Sequence, residues 1–347
     1  MKGNFKIKEP PFERISQEYR CARARMKPGK LDGDLNKPFW KPGEWITQLY
    51  DIRGENYPAP WKRTRIKMLW DEEALYVGAE LEDDAIWANV GKRDQVIFVD
   101  NDFEVFLAPQ DSTHRYFEIE INAANAVWDL LMDQPQRDHC HRVIGWDVRD
   151  MESAVKIDGT LNDPWAENRS WSLEMKIPWI SLRECGLDEI YPSKIAPTLG
   201  EVWRTNFLRV EWNVDVDGNH YKKKVDPETG KTLPENNWVW IPTGVVDVHL
   251  PEMWGYLVFT ENGEPYPLPL GEDKVKMALR KVYYREHAYC CRHERFTEDL
   301  DLLLNGEKLP YDIAVYTTPS MFEAIARWNN QRWHIRQDGY VWRDDDA

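Results

Sequence analysis

Glu104, Glu118 and Glu120 stand in two runs of alternating polar and apolar residues, Phe103-Glu104-Val105-Phe106-Leu107 and Phe117-Glu118-Ile119-Glu120-Ile121-Asn122. A period of two sends successive side chains to opposite faces of a sheet, so the carboxylates of each run share a face. Acids gathered in this way can be solvated strand-face charges, or a cluster that attracts a hard cation such as calcium. A pair of them about 5 to 9 Å apart could also run glycoside hydrolysis, one as a raised-pKa acid and the other as base or nucleophile. Glu104 and Glu118 are the pair to test for that chemistry. No G-x-S-x-G elbow, P-loop, H-E-x-x-H or G-x-G-x-x-G motif adds an independent catalytic signal.

Other chemistry-bearing clusters read more plainly. His139-Cys140-His141 offers metal-ligand types, but neighbours on an extended chain point apart and no fourth ligand is evident. His287, Cys290 and Cys291 fall at helical spacing with His293 further round, where buried cysteine behaves as a small hydrophobe. Asp215-Val216-Asp217-Gly218-Asn219 lacks the downstream bidentate Glu of a helix-loop-helix calcium site and reads as a hairpin turn. The five cysteines, Cys21, Cys140, Cys185, Cys290 and Cys291, have neither C-x-x-C pairs nor the spacing of a disulfide scaffold.

The aromatic load is heavy, with 18 Trp, 15 Tyr and 11 Phe in 347 residues. Such rings dominate buried area in a sandwich core, and exposed ones are the flat surfaces on which sugars stack. The formal net charge of −15 argues against a nucleic-acid or anionic-membrane partner, both of which attract Lys and Arg excess. No apolar run reaches the roughly 18 residues of a membrane span. The opening Met1-Lys2-Gly3-Asn4-Phe5-Lys6 has no hydrophobic secretory region, so no signal peptide is expected in this sequence.

The elements that must position these residues are short strands. Alternation recurs in Arg65 to Trp70 and Leu75 to Leu81, which flank the turn Asp71-Glu72-Glu73-Ala74 as a hairpin, and again in Trp171 to Ile177, Val202 to Trp212 and Trp254 to Phe259. Many short strands broken by Pro, Gly, Asn and Asp, without intervening long helices, predict a mainly β fold, an antiparallel two-sheet sandwich. The proline-rich stretch Glu261 to Pro269 is a linker candidate. Beyond it, Val275, Ala278, Leu279, Val282 and Tyr289 predict a helix from about Glu272 to about Arg292, followed by strand-like pieces near Ile313 to Tyr316 and Trp333 to Trp342. The expected division is an extension over 1–28, a sandwich over 29–262 and a small α+β appendage over 263–347.

Several pieces in order resemble carbohydrate-binding module family 9, in particular its stand-alone family-9-like proteins. They are Gly33 to Trp40, Lys67 to Val77, Asp100 to Leu107, Tyr116 to Asn122, Trp238 to Gly244 and His249 to Tyr256. The resemblance implies a β-sandwich of the type shared with DOMON domains. It binds a terminal unit of an oligosaccharide or polysaccharide without catalysis, between two aromatic rings and a circle of hydrogen-bonding groups, in glycan breakdown. It also implies structural calcium in some members and an exported, extracellular or periplasmic setting. Matched position by position, one stacking Trp falls on Trp240 with Trp238 beside it, a binding Asn on Asn237, and the strand acid on Glu104. The second ring falls near Phe98, and an Arg and an Asn of the neighbouring strand fall on Glu118 and Glu120. Replacing a cationic donor by an anionic acceptor reverses the hydrogen-bond demand on a sugar. Two other readings follow from the same residues: a glycoside hydrolase using paired carboxylates, and a structural or adhesion module whose sugar pocket has closed.

Overall fold

The computed structural model describes residues 9–12, 17–110, 112–183 and 196–345; Cys185 and the opening hexapeptide lie outside them. The strands of the first part are β1 (Glu18–Arg23), β2 (Tyr50–Asp51), β3 (Thr64–Trp70), β4 (Ala74–Glu82), β5 (Asp102–Ala108), β6 (Tyr116–Asn122), β7 (Val127–Met132) and β8 (Arg142–Val143). They continue with β9 (Glu152–Asp158), β10 (Ser170–Pro178), β11 (Val202–Glu211), β12 (Val214–Asp217), β13 (His220–Lys223), β14 (Asn236–Val239) and β15 (Gly255–Thr260), with one helical turn, α1 (Trp179–Leu182), after β10. The appendage comprises α2 (Leu270–His293), α3 (Leu300–Leu304) and β16 (Ile313–Thr317), β17 (Phe322–Trp328), β18 (Gln331–Arg336) and β19 (Val341–Asp345).

Hydrogen bonding joins the strands in the order β8-β7-β6-β5-β11-β15-β1-β3-β4-β10-β9, with β14 pairing β11 and β2. This ribbon folds into two layers. Phe103, Val105, Phe117 and Ile119 of one layer meet Met68, Val77, Leu173 and Met175 of the other in the main core. Pairing is antiparallel except at β1, which runs parallel to both β15 and β3. That strand lies in the stretch expected as an extension, so the sandwich begins before residue 29. Its Arg20-Cys21-Ala22 offers only a brief alternation to read, and long-range pairing with β15 and β3 places it.

Local chemistry closes the expected turns. At the β3–β4 hairpin, Asp71 Oδ1 accepts from the amides of Glu73 (2.8 Å) and Ala74 (3.1 Å). The β12–β13 hairpin turns at Gly218, whose φ of +63° suits glycine, as read for this Asp-rich stretch. Helix α2 extends the expected helix by two residues at its start and one at its end, and packs Val275, Leu279 and Val282 against the four-stranded sheet β16-β17-β18-β19. The sequence pattern showed two of those four strands.

The appendage docks through buried ion pairs. Arg204 of β11 reaches Asp273 of α2 (2.6 Å), and Arg137 lies 2.9 Å from Glu252, which also accepts from Tyr284 of α2 (2.8 Å). Arg280 of α2 donates to Thr113 (3.1 Å) and to the Gly339 carbonyl (3.2 Å). Among the described residues, no helix is long and apolar enough to cross a membrane.

Candidate functional site: a carboxylate-lined cavity on one outer face

The period-two geometry of β5, β6 and β11 decides what faces outward. Phe103, Val105 and Leu107 point into the main core, so Asp102, Glu104 and Phe106 point away from it. Register brings Glu104 opposite Glu120 on one side and Leu208 on the other, and Phe106 opposite Glu118. The next strand adds Trp128 opposite Glu120 and Leu130 opposite Glu118.

A cavity of about 310 Å³ opens on this outer face. Glu104, Glu118, Glu120, Leu208 and Val210 line it from the strands; Phe98, Trp128 and Leu130 form an apolar wall; Arg142, Gln136, Glu235, Asn237, Asp247 and His249 bring polar groups. The Phe98 ring stacks on Trp128, with centroids 6.3 Å apart and planes 30° from parallel. Phe98 is 42% exposed, so one of its faces remains free. Its carbonyl accepts from Trp212 Nε1 (2.9 Å), which fixes the loop that carries it. His249 is held between Tyr116 Oη and Gln136 Nε2, each 2.9 Å from a ring nitrogen, and lies 3.9 Å from Glu118.

Burial and like charge dominate the electrostatics. Desolvation, then Asp102 and Glu118, push the Glu104 carboxyl well above the usual carboxylate range. Desolvation, then Glu104 and Glu118, do the same to Glu120, against the pull of the Phe98 and Ile97 amides. Glu118 is raised by burial, with His249 and Arg142 opposing. Behind them, Asp102 is fully buried and raised well above its ordinary value by desolvation and by Glu120, with the Val210 backbone amide opposing. A carboxyl held protonated donates one hydrogen bond as well as accepting, so this floor offers hydroxyl groups both roles.

The structure thus gathers Phe98, Glu104, Glu118, Glu120 and Asn237 around one cavity and leaves Trp238 and Trp240 out of it. Trp240 is 3% exposed and packs in the main core beside Phe207, with its six-membered ring over Gly255 where a Cβ would lie 2.7 Å away. Trp238 is equally buried, edge-on to Trp61 at 4.7 Å and under the Arg209 guanidinium. The reason is parity: on β14, Asn237 and Val239 face outward, so Trp238 faces the main core, and Trp240 beyond the strand end joins it there. The two-ring clasp expected from the sequence is replaced by one wall made of Phe98 and Trp128. Trp128, Arg142, Glu235 and His249 were missed. For Trp128 the sequence carried little signal, because Val127-Trp128-Asp129-Leu130-Leu131-Met132 does not alternate, and its face is set by pairing opposite Glu120.

The remaining clusters are accounted for by local packing. His287 gives Nε2 to the Gln337 carbonyl (2.7 Å) and packs on Tyr283, Phe296 and Phe322; burial lowers its pKa to about 4. Exposed His141 bonds half-buried Asp133, while Cys140 turns to the Met132 sulfur. Cys21, Cys140, Cys290 and Cys291 are free thiols. Two acidic groupings have ligand atoms close enough for a cation: Asp102-Glu104-Glu120, and Asp94-Asp129-Asp147, into which Arg93 projects with hydrogen bonding to Asp129.

Fold and cavity together define a β-sandwich module with an open polar site on an outer face. Residues 31–196 match the family described as carbohydrate family 9 binding domain-like. The matched segment holds Phe98, Glu104, Glu118 and Glu120. Similar solved structures include a Bacteroides uniformis protein, 15% identical, covering 71% of this chain and all of its own, with a TM-score of 0.48. A carbohydrate binding module family 9 from Caldicellulosiruptor kristjanssonii, solved with cellotriose, is also 15% identical and covers 73% of this chain and 99% of its own, with a TM-score of 0.43. A structure from the same organism with glucose gives 15%, 73%, 100% and 0.43. No curated protein matches the sequence.

Proposed function

We propose that the outer-face cavity binds a terminal sugar unit of an oligosaccharide or polysaccharide, without catalysis, in support of glycan breakdown. The observation that carries this reading is the half-exposed Phe98 ring standing over a cavity whose other groups are hydrogen-bonding side chains. A pyranose has C–H groups on its faces and hydroxyls around its rim, so it needs one flat apolar wall and several polar contacts. Glu104, Glu118, Asn237 and Arg142 supply those contacts, and a volume of about 310 Å³ is at the small end for ligand sites, suited to one sugar ring. The family match over residues 31–196 supports the same class of ligand.

The test is isothermal titration against a panel of reducing monosaccharides and oligosaccharides. Heat with at least one of them, weakened in Phe98→Ala, supports the proposal; no heat with any ends it. Glu104 and Glu118 line the same cavity, so hydrolysis is the competing chemistry. Turnover of aryl glycosides that disappears in Glu104→Gln would establish an enzyme instead.

A further inference from the structure

We propose that Asp102, Glu104 and Glu120 hold a hard divalent cation of the calcium class at the base of the cavity, where ligand hydroxyls complete its coordination. The three carboxylates offer oxygens that all lie within 4.8 Å of one another. Calcium takes oxygen ligands at 2.3 to 2.6 Å, so ligands around one ion stand up to about 5 Å apart, and the spacing fits.

An acidic grouping alone would be weak support, and a second feature points to a ligand. Asp102 has no solvent exposure and its carboxylate meets no side-chain partner among the described residues, only the approach of the Val210 amide; Glu120, 1% exposed, has an orphan Oε2. Buried polar atoms are almost always partnered, and a buried charge without a counter-charge is strongly disfavoured. Other buried acids have a firm partner for at least one oxygen: Asp100 accepts the Asn89 and Val90 amides (both 2.8 Å), Glu286 the Thr297 amide (3.2 Å), and three more meet cations. Glu174 receives Lys37 (2.7 Å) and Trp40 Nε1 (2.7 Å), Glu211 receives Lys62 (2.7 Å) and Arg209 (2.7 Å), and Asp273 receives Arg204 (2.6 Å). The other close acidic grouping has Arg93 within it. Among the described residues, no cationic side chain forms an ion pair with Asp102, Glu104 or Glu120, and the charged neighbours Asp100, Glu118 and Glu235 add negative charge.

The coordination list leaves room for a ligand. Three carboxylates supply at most six oxygens, and the 6 to 8 positions of calcium are then completed by water or by hydroxyls. Glu104 and Glu120 line the cavity while Asp102 lies behind them, so the open positions face the site proposed above for the sugar. This part of the inference rests on the saccharide reading; the cation site itself does not.

The experiment uses the full chain, stripped with EDTA and dialysed. Calcium is titrated to about 10 mM, above the roughly 0.1 to 1 mM dissociation constants of extracellular calcium modules, and followed by calorimetry and melting temperature. Terbium luminescence, sensitised by Trp128, reports the place of binding. The expected result is saturable binding that raises the melting temperature by several degrees, abolished in Asp102→Asn and Glu120→Gln and retained in Asp147→Asn. The two neutral variants lose like-charge burial and are expected to fold at least as well as the parent without metal. No saturable binding, or binding that both neutral variants retain, overturns the site. Sugar affinity measured with and without EDTA is expected to fall at least tenfold on metal removal. Cation binding with unchanged sugar affinity overturns the coordination of the ligand, whereas cation binding with no sugar bound overturns the saccharide reading alone.

Discussion

Asn237 and Trp238 are neighbours in sequence and lie on opposite sides of one layer: Asn237 lines the cavity, while Trp238 is buried in the main core. The same parity assigns Trp240 to packing and leaves Phe98 as the accessible ring. Phe98→Ala is expected to weaken sugar binding about 2- to 13-fold, the worth of a ring contact of about 0.5–1.5 kcal/mol, with stability changed by less than about 0.5 kcal/mol. Trp240→Ala is expected to destabilise by about 3–5 kcal/mol through loss of a buried ring. Calorimetric titration and urea unfolding on both variants separate the two roles; equal effects on binding at equal stability would contradict the assignment.

Much of the fold was legible because alternation survives burial on one face. β3, β4, β5, β6, β10 and β11 carry it and fall where the pattern puts them. The carboxylates of β5 and β6 were legible for the same reason, since a polar residue on an alternating strand declares its face. What escaped was set by partners distant in sequence. β1 is defined by parallel neighbours 47 and 238 residues away, and the appendage strand β17, Phe-Glu-Ala-Ile-Ala-Arg-Trp, mixes Ala and charged residues that favour helix as readily. A Trp alone says nothing about which face it takes, so Trp238 and Trp240 read as ligands as easily as core.

Arg137 is the hinge of the contact between sandwich and appendage. It is buried with Glu252 at 2.9 Å, and its guanidinium lies over the Tyr283 and Tyr284 rings at 5.7 and 5.5 Å. Replacing it by Met removes the nearer of the two cations that act on Glu252 and leaves Arg280 alone, so the cost should approach the roughly 3–5 kcal/mol of an uncompensated buried acid from below. Arg137→Met should therefore unfold at lower urea, and Arg137→Met combined with Glu252→Gln should recover part of the loss. A double-mutant cycle showing no coupling would contradict this account.

Stability should fall as pH rises toward neutrality. Burial raises Glu286 from 4.5 to about 7, against the Thr297 amide that donates to it at 3.2 Å, and Asp138 is likewise raised to about 7, first by burial. A carboxyl whose folded pKa is raised binds its proton more tightly in the folded state. Its stabilisation is complete below the unfolded value and is lost as pH rises through the folded value. The window is therefore about pH 4.5 to 7. Glu286→Gln keeps an acceptor for Thr297 and removes the titration, so it should flatten this slope by on the order of 2 kcal/mol between pH 5 and 8. Urea midpoints at several pH values measure it; an unchanged slope would refute the assignment.

The end of α2 contains a removable strain. Glu294 follows His293 in the left-handed region, with φ of 59° and ψ of 22°, and its amide donates back to the Cys290 carbonyl at 2.8 Å. This is the closing geometry that glycine adopts without cost, whereas a residue with a Cβ is disfavoured there by about 1–2 kcal/mol. Removing the side chain also gives the unfolded chain more freedom, which opposes the gain by a few tenths of a kcal/mol to about 1. It takes away as well a negative charge from a helix C-terminus, where the helix dipole disfavours anions. Glu294→Gly should thus stabilise by about 0.5–1 kcal/mol, while Glu294→Ala, which keeps the Cβ, should gain only the smaller charge contribution. A melting temperature that rises more for Ala than for Gly would show that charge, and not backbone geometry, limits the helix at this end.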